Sequence, residues 1–470
     1  LLPAIATGRE LAAFALTEPA AGSNPLALKT RAVPQTDGTW KLHGEKEWIG
    51  LASWAGVITV FAQLYDGSHR PRGITAFVVR QGAPGLRHGP EALTMGVRGM
   101  VQNRLYLDGV PVTADDMLGA PGDGMRVAQD AMMYGRLGLG VMSLAAMKRS
   151  AQLMLHYASA RTISTGRLLD NPVTLTRLNT HTAAIDATES LVYTLARWLD
   201  AGIAVPPECF MAVKITAPEL LGHAVDDLVQ LLGGRGYIET NLVPQLLRDA
   251  RLIRIFEGPT ETLAMALGTH LVRDATPLLQ FIETHLPRGG TAARLQALMA
   301  QCVAPRTTPH AWAVYQLGEY AAYALLLATT HQYAATHSSA ETVRWLERLL
   351  AEREAKLLGQ AFHVIAPASA DELSQRIARY AQSIGDGAQS LPGEDTQPDP
   401  LVLGRTVAAP AVATVEPYAP AVDASPAPAR PSEPVLQALR RYLGPLLRLP
   451  PEDIDAHRPL VHYGLDSVSY

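Results

Sequence analysis

The fold depends on one stretch of the sequence, residues 131–161, which reads AMMYGRLGLGVMSLAAMKRSAQLMLHYASAR. Its apolar residues recur every three or four positions, a period that predicts an amphipathic α-helix. The runs before it are shorter, are rich in β-branched and aromatic residues, and are separated by Gly, Pro and Asp; they are TWKLHGEKEW (39–48), VITVFAQLY (57–65), GITAFVVR (73–80) and QNRLYLDGV (102–110). Such runs predict strands. We therefore predict a multi-domain α+β chain, with a β-rich domain over 14–122 and a helical domain over 123–273.

The sequence changes character twice more after this helical domain. Residues 275–385 keep a helical pattern but are rich in Ala and His, and we predict an additional helical domain there. Residues 386–434 are dominated by Pro and Ala, so we predict a disordered, semi-extended linker. A new amphipathic pattern, VLQALRRYLGPLL, opens a last unit over 435–470.

Composition excludes several classes of function. The 470 residues are too many for one ordinary domain. The chain has 40 basic and 44 acidic residues, so it has no net positive charge that would attract nucleic acid or an anionic membrane. Two cysteines cannot form a disulfide framework, which indicates a reducing, cytoplasmic location. The apolar segment over 311–330 contains Gln316 and Glu319 and predicts a buried helix, so no membrane partner is expected. His331, His363 and His462 show no metal-ligand spacing.

Two glycine-rich segments invite a nucleotide-binding interpretation and do not support it. LLGGRGYIET (231–240) follows an amphipathic helix, whereas a dinucleotide fingerprint follows a strand. Gly135, Gly138 and Gly140 lie inside the helical pattern of the opening stretch, where close helix packing is the expected reason for glycine.

Two other segments leave a functional and a structural interpretation open. The loop LTEPAAGSN (16–24) has small residues that let backbone N–H groups approach a phosphate or a flat ring, or it is a plain surface loop. Glu257 is a lone carboxylate after the largely apolar run LIRIF and before the helix-breaking pair Gly258-Pro259. It either faces solvent or lies in a pocket for proton chemistry.

The ordered motifs resemble those of the acyl-CoA dehydrogenase family over residues 1–273. These are ALTEPAAGSN, EKEWIG, MGVRGM with LDGVPV, YASAR, QLLGGRGY with RDAR, and FEGPTE. The resemblance implies a β-barrel-like middle domain, a C-terminal helical bundle, bound FAD and a homodimer or tetramer. The family's N-terminal helical domain would end at residues 1–13, and we expect the rest of it upstream.

The resemblance also implies roles for individual residues, carried over by position. The residues that would contact the flavin ring and pyrophosphate are Leu16, Thr17, Gly22 and Ser23, with Trp48 and Ile49 along the isoalloxazine. Those that would reach the FAD of a second subunit are Arg161, Gln230 and Gly234. Glu257 matches the catalytic base, which removes the α-proton of an acyl thioester while the β-hydrogen leaves as hydride to the flavin. Some members place that base at the position of Gly135, where glycine cannot act.

Departures from the family pattern keep other functions open. Gly50 replaces a Thr or Ser whose hydroxyl lies near the flavin, Asn24 replaces Asp, and Pro259 replaces a common Thr. The electron acceptor is therefore unknown. A flavin-dependent oxidase or monooxygenase, or a non-catalytic docking module, are the alternatives to a dehydrogenase.

The C-terminal segment HYGLDSVSY, with DIDAHRPL upstream, resembles the start of an acyl carrier protein. The resemblance implies 4′-phosphopantetheine on Ser467, although an Asp-Ser helix cap fits the local chemistry as well. The Pro/Ala linker favours the carrier. The expected context is a polyketide or nonribosomal peptide assembly line, with neighbouring domains as partners and an acyl thioester on the carrier or on CoA as substrate.

Overall fold

The computed structural model describes residues 1–302, 310–334, 340–359 and 368–385. The described residues up to 359 belong to one compact unit, and residues 368–385 belong to a second. The predicted linker over 386–434, the carrier segment over 435–470 and Ser467 lie outside the described residues.

After a short helix α1 (Leu2–Ala6), eight strands form one sheet. They are β1 (Ala12–Ala15), β2 (Arg31–Pro34), β3 (Trp40–Gly50), β4 (Val57–Tyr65), β5 (Pro71–Arg80), β6 (Leu86–Glu91), β7 (Gln102–Val112) and β8 (Met117–Leu118). All four runs predicted to be strands are strands, namely β3, β4, β5 and β7. The other four have two to six residues, too few for an alternating pattern to be recognised.

The sheet has the strand order β6-β7-β3-β2-β4-β5-β8, and β1 pairs with β4 outside this path. Most neighbours are antiparallel, whereas β1 and β2 run parallel to β4. Strands β6 and β8 lie at the two ends, and no pairing between described strands joins them. The middle domain is therefore an open sheet by its hydrogen bonding, which corrects the predicted β-barrel-like closure.

The helices of the first unit follow the sheet. They are α2 (Gly124–Ala160), α3 (Pro172–Asp200), α4 (Pro207–Leu232), α5 (Leu242–Ile253), α6 (Thr260–Asp274), α7 (Thr276–His285), α8 (Thr291–Cys302), α9 (Ala311–Ala334) and α10 (Ala340–Leu357). A two-stranded ribbon of β9 (Thr162–Ile163) and β10 (Gly166–Arg167) separates α2 from α3. The opening stretch lies within α2, as its period predicts.

Helices α2 and α4 run parallel over most of their length. Gly140 packs on Val213, and farther along both helices Met154 shares an apolar cluster with Leu228. A Cβ on Gly140 would overlap the Val213 side chain, so the predicted close packing holds there. It does not hold at Gly138, where a Cβ would meet nothing within 4 Å. Helix α4 ends before Gly233, in agreement with the rejection of a dinucleotide fingerprint.

The described helices between 275 and 359 have no core of their own. Buried residues of α2 to α10 form one continuous cluster, which runs from Leu139 to Leu350. Every residue of α9 from 320 to 330 is buried, as expected of a helix that is apolar on all sides. The predicted boundary near residue 274 therefore separates no two cores. Among the described residues, none of the helices has the combination of length and hydropathy of a membrane span.

The second unit contains two short helices, α11 (Ala370–Ala378) and α12 (Ala381–Ile384). Ser369 and Glu372 begin α11 with reciprocal side-chain-to-backbone hydrogen bonds of 3.2 and 3.1 Å. This capping box satisfies two backbone donors that a helix start leaves unpaired.

Substitution of the two α2 glycines by alanine tests the packing of α2 on α4. We expect Gly140→Ala to lower the free energy of unfolding by up to about 2 kcal/mol, because overpacking costs about 1–3 kcal/mol and the better helix propensity of alanine offsets roughly 1 kcal/mol. Gly138→Ala is the matched control and should raise stability by up to about 1 kcal/mol. Denaturant unfolding measures both changes, and equal effects of the two substitutions would contradict the assigned contact.

Candidate active site

Glu257 lies in the turn that joins α5 to α6. Its backbone has a φ of +54°, which is uncommon for any residue except glycine. Two hydrogen bonds fix the turn: Lys214 Nζ donates to the Gly258 carbonyl at 3.1 Å, and the Thr260 N–H donates to the Arg254 carbonyl at 3.3 Å. Strained backbone of this kind persists only where the surroundings hold it, and it concentrates at functional sites.

The carboxylate of Glu257 points into the bundle. Its Oε2 atom is buried and has no hydrogen-bond partner among the described residues. Burial raises the pKa of Glu257 above its ordinary value, and the charges of Arg136 on α2 and Lys214 on α4 oppose the rise. Burial also lowers the pKa of Lys214 to about 8. This partly buried position, the Glu257 pocket, therefore places a carboxylate near two cations.

Gly135 provides the room for this carboxylate. A Cβ on Gly135 would lie 2.5 Å from Oε2 and 2.6 Å from Oε1 of Glu257, closer than van der Waals contact allows. The predicted reason for glycine here, close packing of helices, is therefore wrong at this position. Positions 135 and 257 face the same space, so a carboxylate at either could act on the same atom.

The sequence analysis did not predict the two cations, although each carries a weak signal in the sequence. Arg136 and Lys214 are single basic residues inside apolar helical runs, YGRLGLG and MAVKITA, and both are buried. A long basic side chain is almost never fully buried unless it is paired. Arg136 Nε donates to the main-chain carbonyl of Glu257 at 3.4 Å.

A buried ion pair shapes the loop over 16–24. Lys46 Nζ lies 2.8 Å from Oε1 of Glu18 and donates to the Leu16 carbonyl at 3.1 Å. The Glu18 carboxylate also accepts the backbone N–H groups of Lys29 and Thr30. Burial acts to raise the pKa of Glu18, but Lys46 and these N–H groups hold it below its ordinary value, while burial lowers the pKa of Lys46 to about 8.

The sheet brings most of the predicted flavin residues together. The Glu47 N–H donates to the Thr17 carbonyl at 3.0 Å, which sets the loop beside β3. The pairing of β3 with β7 is irregular between Lys46 and Ile49. Within this irregularity Trp48 has a φ of +54° and 55% of its surface is exposed, whereas Ile49 is buried. Leu16 is buried in the same loop. Gly22 and Ser23 are exposed, and a Cβ on Gly22 would meet nothing within 4 Å.

These features fit the cofactor that the motifs imply. An exposed indole beside an open loop of small residues leaves room for a flat ring and for a pyrophosphate against backbone N–H groups. The residues that fit the group are Leu16, Thr17, Gly22, Ser23, Trp48 and Ile49.

Helix α2 connects this loop to the Glu257 pocket. Leu16 shares an apolar cluster with Ala128 and Met132 of α2. One turn farther along, Arg136 Nη2 lies 3.8 Å from the Met132 sulfur and Arg136 Nε reaches the Glu257 carbonyl. The two predicted halves of the site therefore adjoin the same end of α2.

Arg161, Gln230 and Gly234 lie elsewhere. All three are exposed, at the C-terminal ends of α2 and α4. From Arg136 to Arg161 the helix rises about 37 Å, at 1.5 Å per residue. Within one chain these residues do not join the Glu257 pocket, which is the placement that a site shared between two subunits requires. Their role stays a prediction.

The structure shows the surroundings of the three residues that depart from the family pattern, Gly50, Asn24 and Pro259. Gly50 pairs with Gln102 across β3 and β7, and a Cβ on Gly50 would lie 3.3 Å from Gln102 Nε2. An amide thus faces the place where a hydroxyl is usual. Asn24 is exposed at the start of a short turn, and Pro259 directly precedes α6.

Two family models match this chain. The acyl-CoA dehydrogenase middle domain matches residues 13–110, and the acyl-CoA dehydrogenase C-terminal domain matches residues 122–272. A very long-chain specific acyl-CoA dehydrogenase of Rattus norvegicus is 33% identical over 270 residues, which cover 56% of this chain and 41% of that protein. A short-chain specific acyl-CoA dehydrogenase of Megasphaera elsdenii is 31% identical, and the match covers 57% of this chain and 69% of that protein.

A solved structure extends the similarity of fold beyond residue 274. An acyl-CoA dehydrogenase from Bacillus anthracis in complex with FAD has a TM-score of 0.63 and 24% identity, with 81% of this chain and 73% of that chain covered. The similarity of fold to that structure covers more of the chain than the two family models do.

Replacement of Glu257 by glutamine tests the cost of burying the carboxylate. Because the folded-state pKa lies above the unfolded-state value, the native protein holds an extra proton between the two values, and stability falls as pH rises through that window. Glu257→Gln cannot ionise and should lack this fall, so its Tm relative to wild type should increase from pH 4.5 towards neutral pH. Glu283→Gln, on an exposed residue of α7, is the control. A Tm difference that does not vary with pH would contradict the buried, unpaired carboxylate.

Proposed function

This chain belongs to the acyl-CoA dehydrogenase family, and on that premise we propose that it is an FAD-dependent oxidoreductase that introduces a double bond between Cα and Cβ of an acyl thioester. The observation that carries the proposal is the Glu257 carboxylate, which is buried beside two cations and has an oxygen without a hydrogen-bond partner among the described residues. A structural glutamate in a protein interior normally has its oxygens paired.

Glu257 acts as the general base in this proposal. Its free oxygen accepts the proton from Cα, and the raised pKa makes it a stronger base than an exposed carboxylate. The charges of Arg136 and Lys214 oppose that rise in pKa, because they favour the ionised form of the carboxylate. Bound FAD would supply the acceptor for the hydride from Cβ, so that the proton and the hydride would each have an acceptor as the double bond forms.

The chain's own residues supply the position of the cofactor. The loop over 16–23 and Trp48 would hold the flavin and pyrophosphate of one subunit. Arg161, Gln230 and Gly234 would reach the FAD of the other, so the proposal includes a homodimer or tetramer. Their distance from the Glu257 pocket within one chain supports this arrangement.

The change Glu257→Gln tests the assignment of the base. Glutamine keeps the size of the side chain and cannot accept the α-proton, so flavin reduction by a saturated acyl thioester should fall by roughly 10²–10⁴-fold. The amount of bound FAD should be unchanged. Anaerobic stopped-flow absorbance of the flavin measures the rate, and reduction within a few-fold of wild type would refute the role of Glu257.

We further propose that the acyl group is carried on a pantetheine thioester of the same polypeptide, as in polyketide or nonribosomal peptide assembly lines. The motif Leu465-Asp466-Ser467 and the Pro/Ala linker support this. A tethered substrate meets the active site at a high effective concentration, so tight binding of free acyl-CoA is not required. Neighbouring domains would load and receive the acyl chain.

The modification of Ser467 tests the carrier. A phosphopantetheinyl transferase should move the pantetheine phosphate from CoA to the Ser467 hydroxyl, with release of adenosine bisphosphate. Intact-protein mass spectrometry of a chain that carries the complete carrier domain should show one added phosphopantetheine on the wild type and on the control Ser469→Ala, and none on Ser467→Ala. An addition that survives Ser467→Ala would overturn the assignment.

A further inference from the structure

Helices α6 and α9 cross with their backbones in contact. A Cβ on Gly318 of α9 would overlap the Ala264 carbonyl of α6 and lie 2.7 Å from the Gly268 nitrogen. A Cβ on Gly268 would overlap the Val314 carbonyl of α9 and lie 2.8 Å from its carbon. The atoms in the way are backbone atoms, which cannot rotate aside. No residue with a side chain fits either position unless one helix moves.

The start of α6 is rigidly connected to the turn that holds Glu257. The Leu263 N–H donates to the Pro259 carbonyl at 3.0 Å, and the Leu263 side chain packs directly on Gly258. Gly258 in turn receives the hydrogen bond of Lys214. Ala264, which α9 touches, follows Leu263 immediately. A shift of α6 at the crossing therefore moves the Glu257 turn as well.

Helix α9 is itself held by α10. The Arg353 guanidinium of α10 lies 3.4 Å from the centre of the Tyr323 ring, and its Nε is 3.3 Å from the Glu319 carboxylate. A cation on an aromatic face and an ion pair on the same side chain restrain α9 against sliding. Helix α10 thus restrains α9, and α9 restrains α6 at the crossing.

We propose that α9 is a positioning element for the base: the contact of Gly318 with Ala264 and Gly268 sets where the Glu257 carboxylate lies relative to Arg136 and Lys214. This assigns a function to the helices after residue 274, and it rests on the proposed role of Glu257. The simpler alternative is that α9 only contributes apolar burial to the core.

Three alanine substitutions of helical glycines separate these two possibilities in the full-length, FAD-loaded protein. Gly318→Ala and Gly268→Ala displace α6 from opposite sides of the crossing, whereas Gly138→Ala adds a Cβ that meets nothing. We expect the first two to reduce flavin reduction per bound FAD by roughly 10- to 100-fold, since a displacement of about 1 Å can cost 10²-fold. Gly138→Ala should match wild type.

The pH dependence of flavin reduction is the readout that a merely structural role would leave unchanged. The charged groups that act on Glu257 are Arg136 of α2 and Lys214 of α4, and Glu219 of α4 and Glu261 of α6 act on Lys214 in turn. A moved carboxylate changes its distance to these charges, so the rate profile of both crossing variants should shift along the pH axis. A lowered Tm with the wild-type profile and rate per bound FAD would overturn the proposal.

Hydrogen exchange makes the outcome independent of the proposed activity. In Gly318→Ala the amides of residues 260–264 should lose protection, and in Gly138→Ala they should keep it; unchanged protection in Gly318→Ala overturns the proposal even if the wild type reduces no flavin. Wild-type inactivity with the predicted loss of protection would instead refute the proposed function and leave the contact between α9 and the Glu257 turn in place. If Gly318→Ala and Gly268→Ala do not fold, Val314→Ala replaces them, because it removes side-chain contact with α6 at the crossing without creating an overlap. It should change the rate, the pH profile and the amide protection in the same directions by smaller amounts.

Discussion

A carboxylate that is buried without a hydrogen-bond partner costs the folded state free energy, and the surroundings of Glu257 hold it in that position. Helix α2 leaves space at Gly135 and supplies Arg136, and α4 supplies Lys214. The turn itself has an unfavourable backbone conformation at Glu257. A bundle selected only for stability would replace these features. Their presence together is the physical reason to regard the pocket as a site of proton transfer.

The sheet contains a second buried carboxylate, that of Glu18, and this carboxylate is paired. Lys46 and Glu18 are both buried, but they pair at 2.8 Å, and Glu18 gains two backbone N–H groups. Breaking a buried pair leaves one charge uncompensated and typically costs about 3–5 kcal/mol, whereas a well-packed apolar pair can be equally stable. The pair is therefore better explained by geometry than by stability, since it fixes the carbonyl of Leu16 and the loop beside Trp48.

Local sequence patterns predicted most of the long strands and helices and the unusual position of Glu257. Features that depend on long-range contacts were not predicted. The β-branched and aromatic runs identified β3, β4, β5 and β7, and the helical period identified α2 and α4. The isolation of Glu257 in an apolar run marked it as unusual. Arg136 and Lys214 act on Glu257 from 121 and 43 residues away in the chain, and no local period reports such a contact. The open sheet and the shared core beyond residue 274 escaped prediction for the same reason, because strand order and helix crossings such as Gly268 on Gly318 are fixed by packing between distant segments.

The mass of the acyl group after incubation tests the central claim most directly. A saturated acyl thioester, on the pantetheinylated carrier or on CoA, is incubated with the FAD-loaded protein and an artificial electron acceptor, and the product is analysed by mass spectrometry. Dehydrogenation by a buried base predicts a loss of two hydrogens. A gain of oxygen would indicate a monooxygenase on the same scaffold, and an unchanged acyl mass with no flavin reduction would contradict an enzymatic role for the Glu257 pocket.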